Sequence, residues 1–186
     1  TGKEGQVRIV EAAAPWQHIR PIGEDIVAGE MILPGHHKIR AIDVGVLLSA
    51  GITEIEVAVQ PSVAIFPTGT EIIEPGETPV EGSIIESNSR MFENLAREQG
   101  ARAKRFPVIP DDYEKIRRAV KEAAQKYDLV IINAGSSAGT EDYTVHVLRE
   151  LGEVVVHGVA IKPGKPVILA VVDDCPVIGL PGYPVS

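Results

Sequence analysis

The stretch LVIINAGSSAGTEDYTVHVLREL, residues 129–151, decides the fold. It begins with the continuous apolar run 129–132, which is typical of a strand buried on both faces of a sheet. A loop of small residues follows, and a helix is predicted from about Glu141 to Leu151, with Gly152 ending it. A strand, a loop and a helix in this order indicate one βαβ unit of an α/β domain.

The same alternation continues on both sides of this stretch. Amphipathic helices are predicted to begin at Ser87 or Asn88 and at a capping box formed by Asp111 and Glu114. Strands are predicted at Ser62–Phe66, Ala103–Val108, Val154–Ile161, Val167–Val172 and Val177–Leu180. Because parallel strands joined by helices form right-handed crossovers, the sequence predicts a three-layer α/β/α domain with a largely parallel sheet.

The pattern changes near residue 57. Residues 1–56 carry turn signals every few residues, for example Leu33-Pro34-Gly35, and only Ile39 to Ala50 has helical spacing. We therefore expect a small irregular β-rich segment over residues 1–56 and the α/β domain over residues 57–186.

Composition excludes several functions. The chain has 186 residues, with 18 Lys and Arg against 26 Asp and Glu, a formal net charge of −8. We therefore expect no nucleic-acid partner, because an acidic chain gains no counterion-release energy from a polyphosphate unless its basic residues are gathered in one place. No apolar stretch approaches the roughly 20 residues of a membrane-spanning helix. The single cysteine, Cys175, forms no internal disulfide and fits a reducing cytoplasm.

The loops after the strands are the candidate binding sites, because ligands of open α/β sheets bind beyond the carboxyl ends of the strands. Small, hydroxyl or cationic residues occupy four of them: Thr68-Gly69-Thr70-Glu71, Glu86-Ser87-Asn88-Ser89, Asn133 to Thr140, and Lys162-Pro163-Gly164-Lys165-Pro166. The first can present backbone N–H groups to an anion or form a tight turn. The second can bind an anion at a helix start or cap the helix.

The third loop allows a ligand to approach the backbone closely. It matches neither the Walker P-loop nor the dinucleotide motif. Asp142 follows it, and its carboxylate could hold Mg²⁺ beside a phosphate or simply stabilise the helix start. In the fourth loop, Lys162 and Lys165 could point at one anion or be solvated surface residues. The hydroxyl of Ser186 could donate a further hydrogen bond to an anion.

These residues resemble a known family. The segments Asp142-Tyr143-Thr144, Ala160-Ile161 with the KPGKP run, and Gly179 to Ser186 resemble the molybdopterin molybdenumtransferases of the MoeA and gephyrin E-domain family. Thr68-Gly69-Thr70-Glu71 stands where that family has TGDE, and the front segment from Gly23 to Gly51 is similar too. The resemblance implies a MoaB- or Mog-like molybdopterin-binding domain, truncated at its C-terminus, after part of an N-terminal lobe.

The resemblance also implies an enzyme of molybdenum cofactor biosynthesis. It would bind adenylylated molybdopterin, insert molybdate into the dithiolene and release AMP with the help of Mg²⁺. It implies a homodimer formed through the N-terminal region, and the molybdopterin adenylyltransferase as a further partner.

Carried over position by position, the resemblance assigns roles to individual residues. Asp142 would organise Mg²⁺, Lys162, Lys165, Pro166 and Ser186 would bind molybdate, and Asp142, Lys162 and Lys165 would be catalytic. The substrate-binding residues would be Thr68, Gly69, Thr70, Glu71, Ser87, Asn88, Ser89, Asn133, Ala134, Gly135, Ser136, Ser137, Gly139, Thr140, Pro163, Gly164, Pro166, Gly182 and Ser186.

Three positions depart from the family pattern: Thr70 replaces the aspartate of TGDE, Ala134 a glycine of the small-residue loop, and Tyr183 an asparagine. Thr70 and Ala134 favour an alternative, a non-catalytic pterin- or nucleotide-binding module that acts as a sensor or scaffold. A structural domain that only dimerises is a third interpretation.

Overall fold

The computed structural model describes residues 5–7, 9–134, 143–162 and 164–182, and the chain divides into two compact units, residues 1–57 and 58–186. In the first unit the described residues hold one helix, α1 (Ala41–Ser49), and no strand. The expected β-rich segment is therefore wrong. Proline and glycine fix local reversals of the chain, but a strand also requires a partner for its backbone N–H and C=O groups.

The second unit alternates strands and helices. Its elements are β1 (Ser62–Thr68), β2 (Ile72–Ile73), β3 (Ile84–Ile85), α2 (Asn88–Glu98), β4 (Arg102–Arg105), α3 (Tyr113–Ala124), β5 (Leu129–Ala134), α4 (Tyr143–Leu151), β6 (Glu153–His157), β7 (Ile168–Val172) and β8 (Cys175–Leu180). Six strands form one sheet in the order β4-β1-β5-β8-β7-β6, and β2 pairs with β3 separately. Because β4, β1, β5 and β8 pair in parallel and only β7 runs opposite to its neighbours β8 and β6, the predicted largely parallel sheet is confirmed.

Both faces of the sheet are covered by helices. In β1, Ala64 and Phe66 lie in the larger core cluster together with residues of α3 and α4. Val63 and Ile65 point to the opposite face, where Phe92 of α2 packs against them. This alternation follows from the two-residue period of a strand, and it confirms the three-layer arrangement. No helix in the described part of the chain is long and apolar enough to cross a membrane.

The register of the sheet brings several loops to one edge. Phe66, Ile132, Gly179 and Ile168 are neighbours across β1, β5, β8 and β7. The chain leaves β1, β5 and β8 at their carboxyl ends, whereas it enters the antiparallel β7 at Ile168. The hairpin loop 158–167 therefore emerges at the same edge as the loops that follow the three parallel strands.

The helix starts differ from the sequence prediction. Asp112 rather than Asp111 caps α3, because its side chain accepts a hydrogen bond from the Lys115 N–H at 3.0 Å. Ser87 stands at the start of α2 but makes no side-chain cap. Glu86 takes that role, with its Oε1 accepting from the Ser89 N–H at 2.7 Å. A longer side chain one residue earlier reaches the same free N–H group.

Asp128 ties β5 to β1 at the opposite edge of the sheet. Its Oδ2 accepts from the Ser62 hydroxyl at 2.6 Å and from the Ser62 N–H at 2.7 Å, and these bonds lower the pKa of the Asp128 carboxyl below its usual range. A carboxyl whose pKa is lowered in the folded state stabilises the fold above its unfolded pKa, near pH 4, and this contribution is lost as the pH falls further.

We therefore expect Asp128→Asn to lower the free energy of unfolding at pH 7, and we expect its difference from the wild type to shrink below pH 3. Urea unfolding at both pH values measures this. Glu98→Gln, at the exposed end of α2, is the control and should show no such difference. An equal loss of stability for Asp128→Asn at both pH values would contradict the prediction.

Candidate functional site

The loops that follow β1, β5 and β8 emerge at one edge of the sheet, which we call the carboxyl edge. A chain of hydrogen bonds joins these three strands and one helix there. The Thr68 hydroxyl donates to the backbone oxygen of Asn133 at 3.4 Å, and the Asn133 amide donates to the backbone oxygen of Pro181 at 3.0 Å. The Asn88 amide donates to the backbone oxygen of Gly182 at 2.5 Å. The structure thus brings together Thr68, Asn88, Asn133 and Gly182, which the sequence placed on four separate segments.

Two side-chain atoms at this edge are buried, and no described residue bonds to them. Asn88 Oδ1 and Ser89 Oγ have no hydrogen-bond partner among the residues that the structure describes. The exposed fraction is 6% for Asn88 and 0% for Ser89. A buried polar atom that lacks a partner costs about 1–3 kcal/mol, so these two atoms are candidates for hydrogen bonds to a ligand.

The start of α2 is held by an ion-pair network that sequence reasoning missed. Glu86, which is buried, pairs with Arg90; Arg90 also donates to Glu74 Oε2 at 2.6 Å, and Arg105 donates to Glu74 Oε1 at 2.9 Å. These bonds from Arg90 and Arg105 lower the pKa of the Glu74 carboxyl. The spacing of four between Glu86 and Arg90 is a helix-pair signal that could have revealed the first contact.

This network limits the kind of ligand group that Ser87–Ser89 can bind. Because the Glu86 carboxylate already occupies the positive end of the helix, a further anion gains little there. The groups here that have no hydrogen-bond partner in the described part of the chain are neutral: the exposed Ser87 hydroxyl, Asn88 Oδ1 and Ser89 Oγ. They suit the hydrogen-bonding atoms of a ring or sugar better than a phosphate.

The turn after β1 has a fixed shape. Gly69 has φ +147°, and a Cβ there would lie 2.6 Å from Ile72 Cγ1 and 3.0 Å from Glu71 Oε2. The Thr70 N–H donates to Asp111 Oδ2 at 3.3 Å, and the Asp111 N–H donates to the Thr70 hydroxyl at 3.2 Å. A carboxylate therefore lies beside position 70 although the residue there is threonine. Sequence reasoning assigned Asp111 to a helix cap and missed this contact.

The hairpin loop 158–167 carries the two candidate lysines. Its shape is set by backbone bonds, from the Gly158 N–H to Val167 at 2.8 Å and from the Val159 N–H to Lys165 at 2.9 Å. Gly164 has φ +101°, which favours glycine. Lys162 and Lys165 are exposed, and neither forms an ion pair within the described ranges.

The remaining predicted site residues lie outside the described residues: Gly135, Ser136, Ser137, Gly139, Thr140, Asp142, Pro163 and Ser186. Across the ranges that are described, no three His, Cys, Asp or Glu side chains are grouped so that they could hold a metal ion. The expected magnesium site therefore depends on Asp142 and stays a prediction.

The sheet, its helices and the loops at the carboxyl edge together define a class of protein. It is a three-layer α/β domain whose candidate ligand-binding loops gather at the carboxyl ends of its parallel strands. Family models match nearly the whole chain: "Probable molybdopterin binding domain" over residues 64–186 and "MoeA N-terminal region (domain I and II)" over residues 1–51. The chain belongs to the MoeA family.

Individual relatives agree with this assignment. The molybdopterin molybdenumtransferase of Haemophilus influenzae is 32% identical over 99% of this chain and 46% of its own length. The crystal structure of the molybdopterin biosynthesis MoeA protein of Pyrococcus horikoshii has a TM-score of 0.78 at 36% identity, covering 88% of this chain and 41% of that one. A molybdenum cofactor biosynthesis protein B structure, at 18% identity and TM-score 0.52, shares the fold alone. This chain spans about half the length of these MoeA-type relatives.

Proposed function

We propose that this chain binds adenylylated molybdopterin at the carboxyl edge and takes part in inserting molybdate into its dithiolene with release of AMP. The observation that carries the proposal is the pair of buried, unpartnered atoms Asn88 Oδ1 and Ser89 Oγ, which have no partner among the described residues. A pterin ring has both N–H donors and acceptor atoms, so it can satisfy an amide oxygen and a hydroxyl at once. The names of the homologous transferases support molybdopterin as the part of the substrate that is recognised.

The lysine loop supplies the other half of the site. Molybdate, as substrate, is a dianionic tetrahedral oxyanion, and two ammonium groups offset its charge. We assign it to Lys162, Lys165, Pro166 and Ser186. Positive charge at this edge also stabilises the negative charge that develops on the departing AMP. Both lysines are exposed and form no ion pair with any described residue, which supports this role.

Magnesium enters the proposal through Asp142. When bound, Mg²⁺ would supply charge neutralisation on the phosphoanhydride. Because the described residues form no metal cluster, Asp142 alone carries this assignment. We further propose a homodimer formed through the N-terminal region, contact with the molybdopterin adenylyltransferase, and a cytoplasmic location.

A substitution at Ser89 tests ligand binding without weakening the fold. We expect Ser89→Ala to weaken binding of adenylylated molybdopterin about fivefold to tenfold, because a hydrogen bond contributes about 1–1.5 kcal/mol. The same change should leave the free energy of unfolding unchanged or raise it, because the hydroxyl has no partner among the described residues. Titration calorimetry and urea unfolding measure the two effects.

The matched control is Ser49→Ala, in α1 of the other unit, where the hydroxyl donates to the Gly45 backbone oxygen at 2.9 Å. It should leave ligand affinity unchanged. Wild-type affinity of the Ser89→Ala chain would remove Ser89 from the site. Absence of any binding by the unmodified chain would refute the proposed substrate.

A non-catalytic binding module is the second candidate. The observation in its favour is that position 70 carries a hydroxyl in place of a carboxylate, with its N–H and its hydroxyl oxygen both bonded to Asp111. Molybdate-dependent AMP release by the full-length protein distinguishes the two candidates. Release supports the transferase, and tight binding without release supports the module.

A further inference from the structure

A cavity of about 460 Å³ lies between α3 and the loop after β4. It opens on the sheet face that α3 covers, whereas α2 and Ser87–Ser89 belong to the other face. None of its lining residues belongs to the site described above. Its volume falls in the range of about 300–1,000 Å³ that is typical of small-molecule sites.

Aromatic rings line one part of this cavity. Phe66 and Phe106 are stacked with ring centroids 4.4 Å apart, and Tyr127 meets Phe106 edge-on at 6.0 Å. Phe66 is buried, and Phe106 and Tyr127 are partly exposed. Such a surface favours contact with another flat ring.

Cations line the rest of the cavity. Lys104, Lys115, Arg118 and Lys126 contribute four positive charges, against one carboxylate from Glu122. Lys104 Nζ lies 4.7 Å from the centre of the Phe106 ring, and Lys115 pairs with Asp112 at 3.5 Å. Arg118 and Lys126 form no ion pair with residues that the structure describes. In a chain with a net charge of −8, this local excess of cations is complementary to an anion.

We propose that this cavity is a second binding site, for a compound that joins a flat aromatic ring to a phosphate, as a nucleoside monophosphate does. The ring packs against Phe106 and Tyr127, and the phosphate meets Lys104, Arg118 and Lys126. The site is independent of the proposed transferase function, because it shares no residue with the carboxyl edge.

The test is a titration of the ¹⁵N-labelled chain with AMP, adenosine and inorganic phosphate, followed through backbone amide resonances. We expect AMP to shift the resonances of Phe106, Ile109 and Tyr127 saturably. Adenosine should bind at least tenfold more weakly, and phosphate alone should leave the Phe106 and Tyr127 resonances in place. Shifts confined to Thr68–Glu71 or Ser87–Ser89 would place AMP at the carboxyl edge and overturn the proposal.

Two variants locate the site further. Arg118→Gln should weaken AMP binding at least fivefold, whereas Lys121→Gln, on the same helix but outside the cavity, should have no effect. Ala119→Trp should fill the cavity and abolish the shift at Phe106 while any shift at Ser89 remains. Equal affinity for AMP and adenosine, equal effects of the Arg118 and Lys121 variants, or a second copy of the chain covering the cavity in solution would each overturn the proposal.

Discussion

Replacement of both Lys162 and Lys165 by glutamine is expected to weaken molybdate binding by about 100-fold, or about tenfold for each lysine, because each loses a charge-assisted hydrogen bond to the anion. Both side chains are exposed and lie on one hairpin loop, so the fold should be unaffected. Titration calorimetry with molybdate in the presence of adenylylated molybdopterin measures the change. In the full-length protein, molybdate-dependent AMP release should fall in parallel.

Two further variants test whether molybdate affinity depends on the positive charge of the lysines and on their position in the loop. Arginine at both positions keeps the charge and should retain most of the affinity, whereas Lys121→Gln removes a charge from α3 and should change nothing. Higher salt should weaken molybdate binding to the wild type, because exposed charges are screened. Wild-type affinity of the double glutamine variant would show that the oxyanion binds elsewhere.

Among the substitutions proposed for this chain, Gly152→Ala is expected to cause the largest loss in the free energy of unfolding. A Cβ at Gly152 would lie 2.0 Å from the backbone oxygen of Val171 and 3.0 Å from the Cα of Val172. Because backbone cannot rotate away as a side chain can, α4 and β6 must move apart from β7. We expect a loss of about 3 kcal/mol, or a Tm lower by roughly 6–12 °C.

The control for Gly152 is Gly45, which lies in α1, where an added Cβ would meet no atom within 4 Å. Alanine is the better helix former, so Gly45→Ala should stabilise its helix by about 0.5–1 kcal/mol. Thermal unfolding followed by circular dichroism compares the two variants. A neutral effect of Gly152→Ala would mean that the close approach to Val171 is not tight in solution.

The core of the fold could be predicted because its signals are local. The apolar run 129–132 and the helical spacing of Ile116, Val120 and Ala123 each depend on a few neighbouring residues, and these segments form β5 and α3. The front segment was mistaken for β-rich because turn residues reveal where a chain reverses but not whether a second strand is present to pair with. Two predicted strand ends were wrong for the same reason: β4 ends at Arg105 rather than Val108, and β6 ends at His157 rather than Ile161.

The candidate site was predictable in its location but not in its contacts. The rule that ligands bind beyond carboxyl ends selected the loops containing Thr68, Asn133 and Gly182, which the hydrogen bonds do connect. The contact between Thr70 and Asp111 joins residues far apart in sequence, and Glu86 displaced Ser87 as the cap of α2. Such choices depend on tertiary packing, which no local pattern encodes. The roles of Asp142 and Ser186 stay predictions.

The position of β8 affects how this chain can fold while the ribosome is synthesising it. It is the last described strand along the chain, yet it lies between β5 and β7 near the middle of the sheet. Until residues 175–180 have left the ribosome, β5 and β7 each have an unpaired edge, and the apolar faces of α3 and α4 have no complete sheet to cover. Unpaired strand edges favour association between chains. We expect this unit to fold only after β8 has left the ribosome, and a nascent chain stalled before Cys175 to be a substrate for chaperones.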